Sequence, residues 1–223
     1  MRVAPGAVPI PRTKAVEAVE LLGLVACAAA LAALAARAVG SLDSAYLSAA
    51  SGALCGYLAA DVATGFVHWF GDRFFEEDTP AIGPRLIQPF REHHRDPAGM
   101  TRHGWLELCG SSALALSPVL AAALVRPLGP FLDGAMIAFG LAVLGTNLFH
   151  CWAHAERVPR LVARLQSAGL ILSPHTHARH HARHDAAYCV TSGWANRAID
   201  RLALFARLER LFVRLGLPAT RQP

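Results

Sequence analysis

Hydrophobic residues along this chain fall into four long runs separated by polar stretches. The first, over residues 21–36, is almost unbroken and ends at Arg37. The others cover about 44–70, 108–125 and 131–152, with Arg126-Pro127 ending the third. Each approaches the roughly 20 residues that a helix needs to cross the hydrocarbon of a bilayer. The pattern predicts an all-α integral membrane protein, a single domain over 1–223, with transmembrane helices at about 18–39, 44–70, 108–125 and 131–152. Taken alone, the first run could also be a signal peptide, with Ala36-Arg37-Ala38 as a cleavage-like site. Its length is at or beyond the upper end for such a segment, so a span with a snorkelling Arg37 is the preferred reading.

The polar stretches set the topology. Short loops join spans 1 to 2 and 3 to 4, while residues 71–107 and the tail after span 4 are long. The tail preceding span 1, the 71–107 segment and residues 157–223 together hold nineteen of the 21 lysines and arginines. With four spans these three regions share one side, which the positive-inside rule makes cytoplasmic. Both termini are therefore expected in the cytoplasm, in a bacterial inner membrane. Near the C-terminus, residues 199–215 form an amphipathic pattern. Leu202, Phe205, Leu208, Phe212 and Leu215 share one face, and Arg207, Arg210 and Arg214 another. Such a helix either lies in the headgroup plane or packs on the rest of the domain.

Composition agrees. The chain is 54% hydrophobic and only 17% charged, with a positive mean hydropathy, which is too apolar for an ordinary soluble domain. The formal charge of +5 is better matched to anionic lipid headgroups than to nucleic acid. Five cysteines with no CxxC pair indicate neither a disulfide framework nor a zinc-thiolate site.

The chemistry lies in the histidines. All eleven fall between His68 and His184, and every set reaches the side of the membrane assigned as cytoplasmic. Ser173-Pro174 is a good helix start. Counted from there, His177, His180, His181 and His184 share one face, while His175 points to nearly the opposite side. His150 and His154 are spaced i, i+4, with Asn147 one turn earlier, and a pair of this kind alone is also common in cores. His68 and Asp72 repeat the spacing. Asp61 lies seven residues before His68 on the same face, where it could orient a ligating imidazole or bond a neighbouring helix. His93 and His94 differ by about 100° on a helix, so they can address two metals. His103 is a loop histidine that is a ligand or merely solvated. Imidazole suits iron, zinc, copper or nickel. This many histidines exceed the four ligands of one structural zinc and match two metals. The glutamate-rich pattern of ferritin-like di-iron bundles is missing. A di-iron centre of this kind suggests O₂ activation against an unactivated C–H bond of a lipid chain. A pH-sensing histidine cluster is the alternative.

Several stretches carry a more specific likeness: ADVATGFVHW at 60–69, PFREHHRDP at 89–97, TRH at 101–103, TNLFHCWAH at 146–154, HARHH at 177–181, YC at 188–189 and TSGW at 191–194. Over about 57–212 the chain resembles the plasmanylethanolamine desaturase family, the Kua or CarF-type membrane lipid desaturases. The resemblance implies a histidine-rich centre of two iron ions, with no separate nucleophile, held by His68, His93, His94, His150, His154, His177, His180, His181 and His184. It also implies that O₂ is used to form the vinyl ether bond of a plasmalogen from an alkyl ether phospholipid. A related plastid branch acts on an acyl chain instead. The stretch between His181 and Tyr188 is a residue shorter than the animal pattern, which leaves the role of His184 open. No flavin, haem or iron–sulfur motif is present, so electrons are expected from a separate protein, cytochrome b5-like or ferredoxin-like. Arg91, Arg95 and Arg102 could hold the lipid phosphate, or be simple positive-inside charge. Two other readings remain beside this one: an acyl desaturase or hydroxylase of the same metal type, and a non-catalytic membrane metal binder or pH sensor.

Overall fold

A computed structural model describes residues 13–40 and 42–220. The basic tail carrying Arg2 and Arg12 lies outside the described residues. Four helices are long and apolar enough to cross a membrane: α1 (Lys14–Val39), α2 (Leu42–Arg73), α4 (Trp105–Val125) and α5 (Pro130–His154). All four are longer than the sequence pattern indicates, because polar residues at their ends continue the helix. At most 39% of the most apolar stretch of any of them is buried inside the protein, so their outward faces suit lipid. Between them lie the short helix α3 (Gln88–Arg95) and a 3₁₀ turn, Pro97–Arg102. After α5 come α6 (Arg160–Ser167), α7 (Pro174–Arg183), α8 (Asn196–Arg201) and α9 (Leu204–Arg214). Among the described residues, the one strand-like pairing is an isolated bridge between Phe74 and Ala219.

Two helix pairs make the bundle. In α1 the buried positions Gly23, Cys27, Ala30, Leu31 and Leu34 recur at three- and four-residue steps and meet Ala113, Leu116 and Leu120 of α4. Leu22 and Val25, off that seam, are exposed. α2 and α5 approach backbone to backbone. A Cβ at Gly56 would lie 2.0 Å from the Ala135 carbonyl oxygen, and one at Gly134 would lie 2.2 Å from that of Ala49. Small residues at such crossings give close packing where water supplies no driving force.

Arg37 does more than snorkel. Its guanidinium pairs with the buried carboxylate of Asp133 and donates to the carbonyls of Ala123 and Arg126. It thereby ties the ends of α1, α4 and α5 together on the face opposite the histidines.

The C-terminal amphipathic stretch is two helices rather than one, broken where Ala203 takes a left-handed conformation (φ 46°). It packs on the domain: Phe205, Leu208 and Phe212 close over Trp69, Phe74 and Tyr188. The Trp69 and Phe205 rings stack at 5.2 Å, and Arg73 grips Glu209 with two hydrogen bonds of 2.9 and 2.7 Å. Leu202 and Leu215, read from the sequence as part of the same face, are exposed. The break at Ala203 turns the first away, and the second lies past the end of α9.

Candidate metal centre

Four helices converge on one point at the end of the bundle. α2 brings His68 and Asp72, α3 brings His93 and His94, α5 brings His150 and His154, and α7 brings His177, His180 and His181. α7 begins where the sequence indicates, with Ser173 Oγ accepting from the Thr176 N–H at 3.2 Å and Pro174 in the first turn. His177 and His180 are buried on its inner face, and His175 is exposed on the outer one.

The side chains divide into two main sets. One is His93, His150, His154, His177 and His181; the other is His68, Asp72, His94 and His180. Within each set, candidate ligand atoms lie within 4.8 Å of one another. Ligands of a single ion, each at about 2.1 Å, are at most about 4.2 Å apart, so small adjustments suffice. The adjacent histidines of α3 and of α7 divide between the sets, as the turn between neighbouring helix positions requires. α5 serves only the first set and α2 only the second. His184, left-handed at the end of α7 (φ 51°), forms a third, smaller group with His94 and His181.

The donor chemistry of the first set suits a cation. His93 Nε2 lies 3.0 Å from His181 Nε2, which lies 2.9 Å from His177 Nε2, which lies 2.7 Å from His150 Nε2. A ring nitrogen offers either one N–H or one lone pair. Four nitrogens in a row can therefore satisfy at most two of these three contacts by hydrogen bonding. The Nε2 atom of His154 is also buried and has no hydrogen-bond partner. Burial foremost, then neighbouring imidazoles, holds His93 and His177 well below the ordinary histidine range and brings His181 down to about 3. The neutral ring is the form that ligates.

In the second set two of the three tautomers are fixed. His68 Nδ1 lies 3.1 Å from the Tyr188 carbonyl oxygen, and His180 Nδ1 lies 2.9 Å from that of Ala186. A carbonyl only accepts, so both rings carry their proton on Nδ1. A neutral ring then turns the Nε2 lone pair toward Asp72 Oδ2, at 3.5 Å from His68 and 3.3 Å from His180, with His94 Nε2 at 3.0 Å. Lone pairs facing a carboxylate repel unless a cation, proton or metal, stands between them. Three nitrogens and a carboxylate could hold a metal ion, with the Nδ1–carbonyl bonds as the usual outer support.

Other residues singled out in the sequence lie elsewhere. Asp61 reaches no imidazole. Its Oδ1 accepts the N–H groups of Thr191, Ser192 and Gly193 at 3.1, 2.9 and 3.0 Å, and its Oδ2 accepts that of Ala195 at 3.0 Å. Asn147 donates to the Leu108 carbonyl at 2.8 Å and joins α5 to α4 instead of the centre. His103 is outside every ligand group and pairs with Glu107 at 2.7 Å. The three arginines have protein partners: Arg91 the Thr220 hydroxyl, Arg95 Glu77 at 3.0 Å, and Arg102 Asp96 at 2.6 Å. Sequence reasoning missed the carbonyls of Ala186 and Tyr188. It also missed the Tyr188 ring, which lies 4.9 Å from His180 and 5.7 Å from His68.

Comparison with known proteins identifies the family. The lipid desaturase domain matches residues 57–221. The chain is 44% identical over 170 residues to a plasmanylethanolamine desaturase of Myxococcus xanthus, covering 72% of this chain and 59% of that protein. It is 36% identical over 171 residues to plasmanylethanolamine desaturase 1 of Mus musculus, with 72% and 63% covered. It is 34% identical over 183 residues to the chloroplastic fatty acid desaturase 4 of Arabidopsis thaliana, with 78% and 55% covered. The aligned regions thus span between 55 and 63% of these relatives. No solved structure matches.

Proposed function

The chain belongs to the lipid desaturase family, and from that premise we propose that it is an O₂-dependent di-iron desaturase of an alkyl ether phospholipid. The observation that carries this reading is the division of nine histidines and Asp72 into clustered sets at the end of a membrane bundle. Similarity to two proteins named plasmanylethanolamine desaturase supports the ether substrate. The reaction removes one hydrogen from each of the first two carbons of the alkyl chain, counted from the ether oxygen. Those two hydrogens, two electrons and two protons reduce one O₂ to two waters, leaving a vinyl ether. The electrons come from a separate one-electron carrier protein.

Bound iron would supply the O₂-derived oxidant. The chain's own residues do the rest. His93, His150, His154, His177 and His181 would hold one ion, and His68, Asp72, His94 and His180 the other, with His184 in reach of a shared position. Ala186 and Tyr188 keep His68 and His180 in the ligating tautomer. The positive-inside distribution supports a cytoplasmic position for this centre, within reach of a soluble carrier.

A second reading, desaturation within a phospholipid acyl chain, is favoured by the similarity to fatty acid desaturase 4. Both are tested in a host that makes alkyl ether lipids but no plasmalogens. Vinyl ethers release a fatty aldehyde in mild acid, and alkyl ethers and acyl esters do not. Expression should give acid-released aldehyde only with O₂, iron and a competent donor, and His181→Ala should give none. A new acyl double bond without aldehyde would transfer the assignment to the acyl reading. Full iron loading with neither product would leave a non-catalytic metal binder.

A further inference from the structure

Asp61 is fully buried in α2, yet it meets no metal-ligating side chain. Its four acceptor bonds all go to the backbone of the 191–195 segment, which follows the loop that supplies the Ala186 and Tyr188 carbonyls. The same stripe of α2 meets the 189–195 stretch at two further points. Thr64 Oγ1 meets Thr191 Oγ1 at 2.9 Å, and a Cβ at Gly65 would lie 2.5 Å from Cys189 Sγ. Asn196 then closes the loop on itself, accepting from the Cys189 N–H at 2.8 Å and donating to the Cys189 carbonyl at 3.0 Å. Asp61, Thr64, Gly65, His68 and Asp72 recur at three- and four-residue steps, so one face of α2 clasps the loop low down and holds ligands higher up. The loop returns its carbonyls to His68, on that same helix, and to His180. No carbonyl from this loop reaches the Nδ1 atoms of the other set in any hydrogen bond among the described residues.

We infer that Asp61 is a positioning residue for one ion only: through the 189–195 segment it fixes the tautomer and aim of His68 and His180. The inference rests on the two-metal reading above. It distinguishes Asp61 from a carboxylate that merely stabilises the bundle, because its loss should weaken the His68–Asp72–His94–His180 set and leave the five-histidine set intact.

The test uses the full chain in nanodiscs, stripped of metal and titrated with cobalt(II), with bound metal counted and its visible absorption recorded. The wild type should bind two ions per chain. Asp61→Ala should bind one with unchanged affinity and the other about 10–100-fold more weakly, the usual effect of losing outer-shell support. Amide exchange over 189–195 should accelerate in parallel. Asp61→Asn should be intermediate, because its amide oxygen keeps the three Oδ1 bonds while its NH₂ group opposes the Ala195 N–H. Gly65→Ala, which displaces Cys189 without touching Asp61, should reproduce the selective loss and covers the case in which Asp61→Ala does not fold. Asp133→Asn, at the far end of the bundle, should lower thermal stability and keep both ions. Two ions bound at wild-type affinity in both Asp61→Ala and Gly65→Ala, or equal weakening of both ions, would overturn the inference. A wild type that binds no cobalt would instead remove the two-metal reading, and this proposal with it.

Discussion

His150 Nε2 and His177 Nε2 lie 2.7 Å apart, although one ring belongs to the last turns of α5 and the other to the first turn of α7. The intervening 155–173 segment, with α6 at its centre, folds α7 back so that its inner face meets α5. This contact and the His181–His93 contact place candidate ligands from three helices in one set.

That arrangement gives a prediction about ligand sets. His150→Ala and His177→Ala should each release one ion and retain the other, and the double variant should release no more than either single one. His68→Ala should release the opposite ion, so combining it with His150→Ala should empty the centre. All of these variants should lack desaturase activity. His175→Ala should bind two ions, because the exposed ring lies on the outer face of α7, where substitutions usually change stability by no more than about 0.5 kcal/mol. Metal counted per purified chain decides it. If His150→Ala and His68→Ala removed the same ion, the division into two sets would be wrong.

Much of this centre was legible in the sequence because helical spacing alone decides which side chains share a face. The inner stripe of α7, the outward His175 and the divergence of His93 from His94 all follow from the turn per residue. Asp61 shows where that logic stops. Seven residues place it on the face of His68 but about 10 Å lower along the axis, too far to touch the ring. Asn147 likewise sits a turn below His150, where its bond goes to the neighbouring α4. The carbonyls that hold His68 and His180 could not be read from composition, since every residue carries one and only the path of the loop aims it. The break at Ala203 left no mark either, because no glycine stands where the chain turns left-handed.

Arg37 and Asp133 should behave as a coupled pair. The Asp133 carboxylate is buried, and removing one partner of a buried pair typically costs about 3–5 kcal/mol because the other charge stays behind. Asp133→Asn and Arg37→Met should each lower the thermal midpoint in detergent. Arg37→Met with Asp133→Leu should recover part of the loss. Additive losses in the double variant would mean that the two groups are not coupled.

The charge asymmetry should set orientation. Reporters inserted after Gly40 and Gly129 should lie on one side of the membrane, and reporters after Asp78 and within the 155–159 connection on the other. The second side should be cytoplasmic, because the arginines of the 71–107 and 157–223 stretches gather there. A cytoplasmic signal from both Gly40 and Gly129 would dismiss the four-span orientation, and with it the access of a soluble electron carrier to the histidine face.

Metal removal should loosen the histidine end of the bundle. Without a cation, the row from His93 to His150 leaves at least one nitrogen contact unsatisfied, and neutral His68 and His180 turn lone pairs toward Asp72. A ligand that binds only the folded chain stabilises it by about 2.7 kcal/mol at one hundred times its dissociation constant. For a chain of this size that corresponds to a rise of roughly 5–11 °C in thermal midpoint for each ion. Stripped protein should therefore melt lower than protein titrated with iron(II) under anaerobic conditions, and the gain should come in two steps as the ratio passes one and two ions per chain. His103→Ala should show the full gain, since its ring lies outside every ligand group, whereas His181→Ala should lose one step. A midpoint indifferent to metal would mean that the imidazoles satisfy one another through protons, and the histidine cluster would then be a pH-responsive core instead of a metal centre.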